Sequence, residues 1–172
     1  PLFARLKSQF HNIYLNTKVV SCELEDNRIA VQFEGEVKGS SYDRILVAVG
    51  RKPNTVDIGL ESTGVKTDGH GFIQVDAKFQ TDESSIFAIG DVIGGVMLAH
   101  KASAEGKDVI GIVTGDEPSQ NARTIPAVVF TDPEIAWCGL TETEAKNKDM
   151  KVQIVKFPWG ASGRAQSLGR PD

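Results

Sequence analysis

Residues 85–106 read SIFAIGDVIGGVMLAHKASAEG, and no other segment constrains the fold as tightly. Ser85 to Ile89 is a short apolar run of strand character, stopped by Gly90-Asp91. Gly94-Gly95 turns the chain, and from Met97 to Thr114 the residues Leu98, Ala102, Val109, Ile110 and Val113 recur at helical spacing. A buried strand that turns through glycine into a helix is a unit of an α/β fold. Such a unit delivers Asp91 to the carboxyl end of the strand, where ligands sit in open α/β sheets. The helix start beside it offers free N–H groups and about half a positive charge, which favours an anionic ligand group. An Asp in that place can accept hydrogen bonds from sugar or ribitol hydroxyls. Spacing alone leaves a second reading open, a helix cap beside a turn. Gly106 and Gly111 inside the helix cost about 1 kcal/mol each relative to Ala, so close packing against a neighbour is expected there.

The rest of the chain divides by texture. Leu2, Phe3, Leu6 and Phe10 give an amphipathic helix over 2–10. Ile13-Tyr14-Leu15 reads as a short strand. Val19 to Leu24 and Arg28 to Phe33 are β-rich runs around Glu25-Asp26-Asn27, and in the second Ile29, Val31 and Phe33 alternate with Arg28, Ala30 and Gln32, a half-buried hairpin arm. Gly35 to Ser41 reads as a loop. Arg44 to Val49 is nearly continuous in apolar residues and predicts a strand buried on both faces, ended by Gly50. Phe72 to Val75 and Ser85 to Ile89 predict further strands. Residues 115–124 read as a linker. Ala127–Phe130 and Ile135–Cys138 predict strands around a Thr-Asp-Pro-Glu turn. Thr141 and Glu144 form a capping box before a helix that runs through Lys148. Lys151 to Phe157 predicts one more strand. Three pieces result: 1–49, 50–118 and 124–172. None holds enough elements for a complete domain, and the opening Pro1 and the turn-like 169–172 both read as cut ends.

Composition excludes several classes. With 40% hydrophobic and 24% charged residues the chain is neither disordered nor fibrous. Nineteen Lys and Arg against 23 Asp and Glu leave a net charge of −4, which argues against a nucleic-acid binder that works by neutralising phosphates. The longest apolar run has the length of a strand, too short to span a bilayer. Two cysteines, Cys22 and Cys138, exclude a disulfide scaffold and a Cys-based zinc finger. Seventeen glycines in 172 residues, against a usual ~7%, point to tight turns or close backbone approach to a ligand.

Four ordered motifs resemble one family. GDVIGGVMLAHKASAEG is similar to the second flavin-binding motif of the pyridine nucleotide-disulfide oxidoreductases, and MLAHKA followed by EG resembles their dihydrolipoyl dehydrogenase branch. YDRILVAVGRKPNT, 42–55, is similar to the segment that returns the chain from the NAD domain to the FAD domain. IPAVVFTDPEIAWCGLTETEA, 125–145, resembles the start of the interface domain, and KFPWGASGRA, 156–165, its next strand and loop. The resemblance covers nearly the whole chain. It implies an α/β partial FAD/NAD(P)-binding reductase fold followed by the start of an α+β interface domain. On it, 1–49 ends the NAD-binding domain, 50–118 is the second segment of the FAD-binding domain, and 124–172 is a truncated dimerisation domain.

The resemblance also implies roles. Asp91 would bind the ribitol and pyrophosphate region of FAD. Met97, Leu98, Ala99 and His100 would lie at the helix start with backbone N–H groups aimed at the pyrimidine edge of the flavin, where negative charge gathers on reduction. Gly50 and Val19 correspond to positions that touch NAD. Val96 stands where many relatives have Pro. His100 would contribute through its backbone, with its side chain packing or making a supporting hydrogen bond; His11 and His70 are isolated. The family's redox disulfide needs two cysteines about five positions apart, whereas Cys22 and Cys138 are 116 apart, and each reads as a small buried hydrophobe. The catalytic His–Glu pair and the G-x-G-x-x-G cradles are not among these residues. Trp137 and Trp159 read as core or dimer-contact residues, and no cluster has metal-ligand spacing.

The implied parent oxidises dihydrolipoyl groups on the carrier of a 2-oxo acid dehydrogenase complex and passes electrons through a disulfide and FAD to NAD⁺. It would be a homodimer of the bacterial cytoplasm or the mitochondrial matrix, with no nucleic-acid or membrane partner. These 172 residues alone are expected to be inactive. The alternatives are another flavin disulfide reductase, of the mercuric or glutathione reductase type, and a non-catalytic interaction remnant.

Overall fold

The structure, a computed structural model, describes residues 1–116 and 124–169. Most of the linker expected over 115–124, and the end of the turn-like 169–172, lie outside the described residues. The chain divides into two units, Phe3–Arg51 and Lys52–Asp172 with Pro1–Leu2.

In the unit formed by Phe3–Arg51, the predicted helix is α1, Leu2–Gln9. The hairpin arms are β1, Val19–Glu25, and β2, Arg28–Phe33, joined through Asp26 and Asn27 at φ +47° and +63°. Two consecutive left-handed residues twist a two-residue turn in the sense of the strands, and Asp and Asn tolerate that conformation. The register pairs Leu24 with Ile29 and Cys22 with Val31, and it shifts between Val19 and Ser21. Val31 is buried, and the Tyr14 ring lies 5.9 Å from the Phe33 ring. A third antiparallel strand, β3, Ser40–Tyr42, follows where a loop was expected. Two serines have little strand preference of their own. The pairing is tied by Arg28, whose Nε donates to Ser41 Oγ (3.1 Å), Nη2 to the Ser41 carbonyl (2.9 Å) and Nη1 to Asp43 Oδ1 (2.6 Å).

Two predicted strands of this unit do not form. Ile13–Leu15 has no ladder, and neither does 44–49, where Leu46 and Val49 are 91% and 93% exposed rather than buried. Apolar β-branched residues favour a strand only where neighbouring backbone takes up their N–H and C=O groups. None of the described residues pairs with 44–49.

The unit that begins at Lys52 starts with loops organised by two aspartates. Asp68 Oδ1 accepts from the N–H groups of His70 (2.8 Å) and Phe72 (3.0 Å). Asp76 Oδ1 accepts from those of Lys78 (2.8 Å) and Gln80 (2.9 Å). Each carboxylate thus closes a loop over the same i+2 and i+4 spacing. The predicted strands 72–75 and 85–89 are reduced to single bridges, Thr67 with Ile73 and Gln80 with Phe87. Thr81, buried, donates its hydroxyl to the Glu83 and Ile86 carbonyls. A 3-10 turn, Gly90–Ile93, then leads to α2, Ala99–Thr114, which closes on Gly115 at φ +99°. Gly106 meets the expectation of close packing, since a Cβ there would lie 3.3 Å from Ile89 Cδ1.

Beyond the undescribed segment, β4, Ala127–Val129, pairs antiparallel with β5, Ile135–Trp137. The expected capping box starts α3, Glu142–Asn147: the Glu144 N–H donates to Thr141 Oγ1, and Glu144 Oε2 accepts from the Thr141 N–H at 2.8 Å. That N–H, and after it the Thr141 hydroxyl, holds the Glu144 carboxyl below its usual range. The predicted strand 151–157 has no ladder, and Val155 and Phe157 are exposed. A short α4, Gly163–Ser167, ends the described chain. Among the described residues of this unit, the buried apolar side chains are Ile73, Ala88, Ala127, Ala145 and Ala165.

Candidate cofactor site

Asp91 lies exposed in the 3-10 turn, and the Gly94 N–H donates to its carbonyl (3.2 Å). Gly94 and Gly95, at φ +79° and +70°, reverse the chain into extended Leu98, the N-cap of α2. The Leu98 side chain caps nothing, and the first turn holds no acidic residue. The Ala102 N–H reaches the Leu98 carbonyl (3.2 Å), so the N–H groups of Ala99, His100 and Lys101 precede the first intrahelical bond. The positive end of α2 is therefore not answered by an acid of its own first turn, and Ala99 and His100 there are exposed.

The turn is held from behind. Gly90 has φ +77°, and a Cβ on it would sit 2.9 Å from Ala102 Cβ, so the helix rests directly against its backbone. A Cβ on Gly94 would sit 3.3 Å from the Phe72 ring. Phe72 is placed by Asp68, whose carboxyl is held below its usual range first by the Phe72 N–H and then by that of His70. The Ile73 N–H donates to the Val92 carbonyl (2.8 Å), tying the loop to the turn. From the helix, Glu105 Oε2 accepts from the Gly90 N–H (2.7 Å), and Glu105 Oε1 lies 2.6 Å from Lys101 Nζ. Lys101 Nζ in turn donates to the Gly94 carbonyl (3.3 Å).

Of the residues singled out from sequence, Asp91, Met97, Leu98, Ala99 and His100 line one continuous stretch of turn and helix start in the unit that begins at Lys52. The His100 ring turns to the Pro126 carbonyl, with Nε2 at 2.9 Å. Val19 and Gly50 belong to the other unit, Val19 opening β1 and Gly50 at φ +132° with nothing within 4 Å of a Cβ placed on it. Sequence reasoning missed Lys101, Glu105, Ala102 and Phe72. The Lys–Glu spacing of four was a readable signal that both side chains share one helix face. Nothing local in the sequence foretold that Phe72 backs Gly94. Cys22 and Cys138 are free and exposed, which corrects the expectation that they are buried: β1 leaves both its faces largely open, and Cys138 follows the end of β5. Trp137 and Trp159 are half exposed rather than core. Among the described residues no three His, Cys, Asp or Glu converge as a metal would require, and no helix is long and apolar enough to cross a membrane.

Comparison with known proteins gives this geometry a family. The profile of the pyridine nucleotide-disulphide oxidoreductases matches residues 4–106, and that of their dimerisation domain matches residues 125–172. A dihydrolipoyl dehydrogenase of Vibrio cholerae is 41% identical over 164 residues, 94% of this chain and 34% of its own. One from Buchnera aphidicola subsp. Schizaphis graminum is 43% identical over 166 residues, 94% of this chain and 35% of its own. The HOCl-induced flavoprotein disulfide reductase RclA of Escherichia coli superposes with a TM-score of 0.85 at 26% identity, over 98% of this chain and 39% of that one. The chain thus spans about a third of the length of the curated relatives it matches. With two of the family's profiles covering most of its residues, this chain belongs to the pyridine nucleotide-disulphide oxidoreductases.

Proposed function

We propose that these residues are the central and interface part of a dihydrolipoyl dehydrogenase. The enzyme oxidises a dihydrolipoyl dithiol, carried on a 2-oxo acid dehydrogenase complex, to the cyclic disulfide. The two electrons and one proton reduce NAD⁺ to NADH, and the second proton is released. The observation that carries this reading is the Gly90–Glu105 stretch: a glycine turn presents Asp91 beside a helix start without side-chain cap or acid, within a chain 41–43% identical to enzymes of that name. RclA, the flavoprotein of other designation, is 26% identical over the same residues, which favours the dihydrolipoyl reading over another flavin disulfide reductase.

The residues present fit a flavin nucleotide. Left-handed Gly94 and Gly95 keep side chains away from the mouth of the turn, and the N–H groups of Ala99, His100 and Lys101 suit an anionic edge. Asp91 would accept ribitol hydroxyls, and Met97, Leu98, Ala99 and His100 would border the ring system. When bound, FAD supplies the two-electron relay between thiol and nicotinamide. Gly50 would let backbone approach NAD⁺, and Val19 would border it. Residues 1–49, 50–118 and 124–172 would then serve NAD domain, FAD domain and dimer interface, the last against a second copy. The enzyme works in the bacterial cytoplasm or the mitochondrial matrix.

The test is to express the full reading frame that contains these residues. Purified protein should carry flavin absorbance and form NADH from dihydrolipoamide, and Asp91→Ala should lose flavin. The isolated 172 residues, with cysteines 116 positions apart, should form no NADH. Full-length protein that binds flavin but reduces glutathione disulfide or Hg²⁺ instead would refute the dihydrolipoyl assignment, and protein without flavin would refute the cofactor site.

A further inference from the structure

We propose that Lys101 and Glu105 are positioning residues: their ion pair bridges the two ends of the Gly90–Gly94 turn and so holds Asp91 in the conformation that takes the flavin nucleotide, a role that rests on the flavin reading above. Three observations carry it. First, each charged group is shared between its partner and the turn. Glu105 Oε1 meets Lys101 Nζ at 2.6 Å while Oε2 accepts from the Gly90 N–H at 2.7 Å. Lys101 Nζ reaches the Gly94 carbonyl at 3.3 Å, and its stem runs past Gly95, whose added Cβ would lie 3.8 Å from Lys101 Cε. The clamp thus grips the residues on either side of Asp91, Val92 and Ile93.

Second, both side chains are only 12% exposed. A pair so far from water forfeits much of its hydration, and it persists only where further hydrogen bonds meet the remaining acceptors and donors. Here the turn backbone supplies them. Third, the pair runs against what a helix wants from its own charges. Lys101 stands in the first turn of α2, at the positive end of the dipole, and it precedes Glu105, the less favourable order for a pair four residues apart. A pair kept merely to stabilise the helix would be reversed. The geometry instead uses α2 as a rigid rod from which two charges reach back over the loop.

The experiment compares full-length wild type with Glu105→Leu and Glu105→Gln. Two quantities are read: the dissociation constant for FAD by flavin fluorescence, and amide exchange in the apoprotein over 90–94 and over 109–112 of α2. Glu105→Leu leaves the Gly90 N–H without its acceptor, and FAD should bind at least about tenfold more weakly. Exchange at 90–94 should accelerate by a similar factor while 109–112 keeps its protection. Glu105→Gln retains an acceptor for Gly90 but gives up the charge that faces Lys101, so its affinity should fall between those of wild type and Glu105→Leu, a partial rescue that plain helix stabilisation does not predict. Should Glu105→Leu fail to fold, Lys101→Met, which removes the Gly94 contact and the ion pair, is read in the same way. Wild-type affinity and wild-type exchange at 90–94 in the Leu or Met variant would overturn the clamp, as would equal loss of protection in both segments. A wild type that takes up no FAD would overturn the flavin reading instead.

Discussion

Replacing Gly90 by alanine tests the core of the site with a magnitude that follows from two separable effects. Gly90 has φ +77°, and its added Cβ would approach Ala102 Cβ to 2.9 Å. Holding an L-residue in the left-handed region costs roughly 1–2 kcal/mol. Pushing a methyl into a packed contact, with Ala102 on a helix that cannot yield alone, costs about 1–3 kcal/mol more. The expected destabilisation of Gly90→Ala is therefore about 2–5 kcal/mol. Ala102→Gly alone should cost about 1 kcal/mol as a helix glycine. In the double variant, Ala102→Gly removes the methyl that the new side chain would strike but leaves the backbone strain. The double variant should then be about 1–3 kcal/mol more stable than the two single effects added together. The assay is urea unfolding of the full-length protein, followed in parallel by flavin release and far-ultraviolet circular dichroism. Additivity within about 0.5 kcal/mol would refute the contact. A neutral Gly90→Ala would refute the backbone conformation as well.

Further outcomes follow from single contacts. Thr81→Val keeps the shape of a side chain only 7% exposed but removes the hydroxyl that donates to the Glu83 and Ile86 carbonyls and accepts from the Glu83 N–H; a loss of about 1–3 kcal/mol is expected in chemical denaturation. Thr141→Ala removes the N-cap of α3 and should cost about 1 kcal/mol, read as reduced amide protection in 142–147. Glu144 and Asp68 both have carboxyls lowered in the folded state, so each contributes stability above its unfolded pKa and loses it as pH falls through the lower, folded one. An acid titration of wild type should therefore show stability falling below the ordinary carboxylate range, and Asp68→Asn should flatten that fall; an unchanged slope would refute the Asp68 loop. His100→Phe loses the bond to the Pro126 carbonyl and should raise exchange in β4 without reducing helical content.

Local chemistry made much of the chain legible. The capping box of α3 needs only Thr141 and Glu144, three residues apart, and it stands where the residues imply. The hairpin of β1 and β2 needs Asp26-Asn27 between two β-rich runs, the second of them alternating, and the two arms pair around that turn. The glycine turn at 90–95 before α2 was equally plain, because few other sequences reverse the chain in so short a space. Strands were read less well. The apolar character of 44–49 and 151–157 is real, but a strand is a property of pairs, and a run cannot report whether a neighbour will take its hydrogen bonds. The converse holds for β3, whose serines have little preference and are recruited by β2 and Arg28.

The candidate site divides along the same line. Sequence by itself determined the local frame in which the proposed cofactor residues stand: Asp91 after a strand-like run, the two glycines, and the helix start that follows Met97 and Leu98, all set within a few residues of one another. Only the tertiary structure decided what stands behind them. Phe72 fills the space behind Gly94, Ala102 abuts Gly90, and Glu105 with Lys101 closes on the turn across up to 15 residues of chain. Contacts of that kind depend on distances fixed by packing and not by spacing along the chain. A carboxylate on a helix face reads as solvated until the fold withdraws water from it and leaves a backbone N–H as its partner.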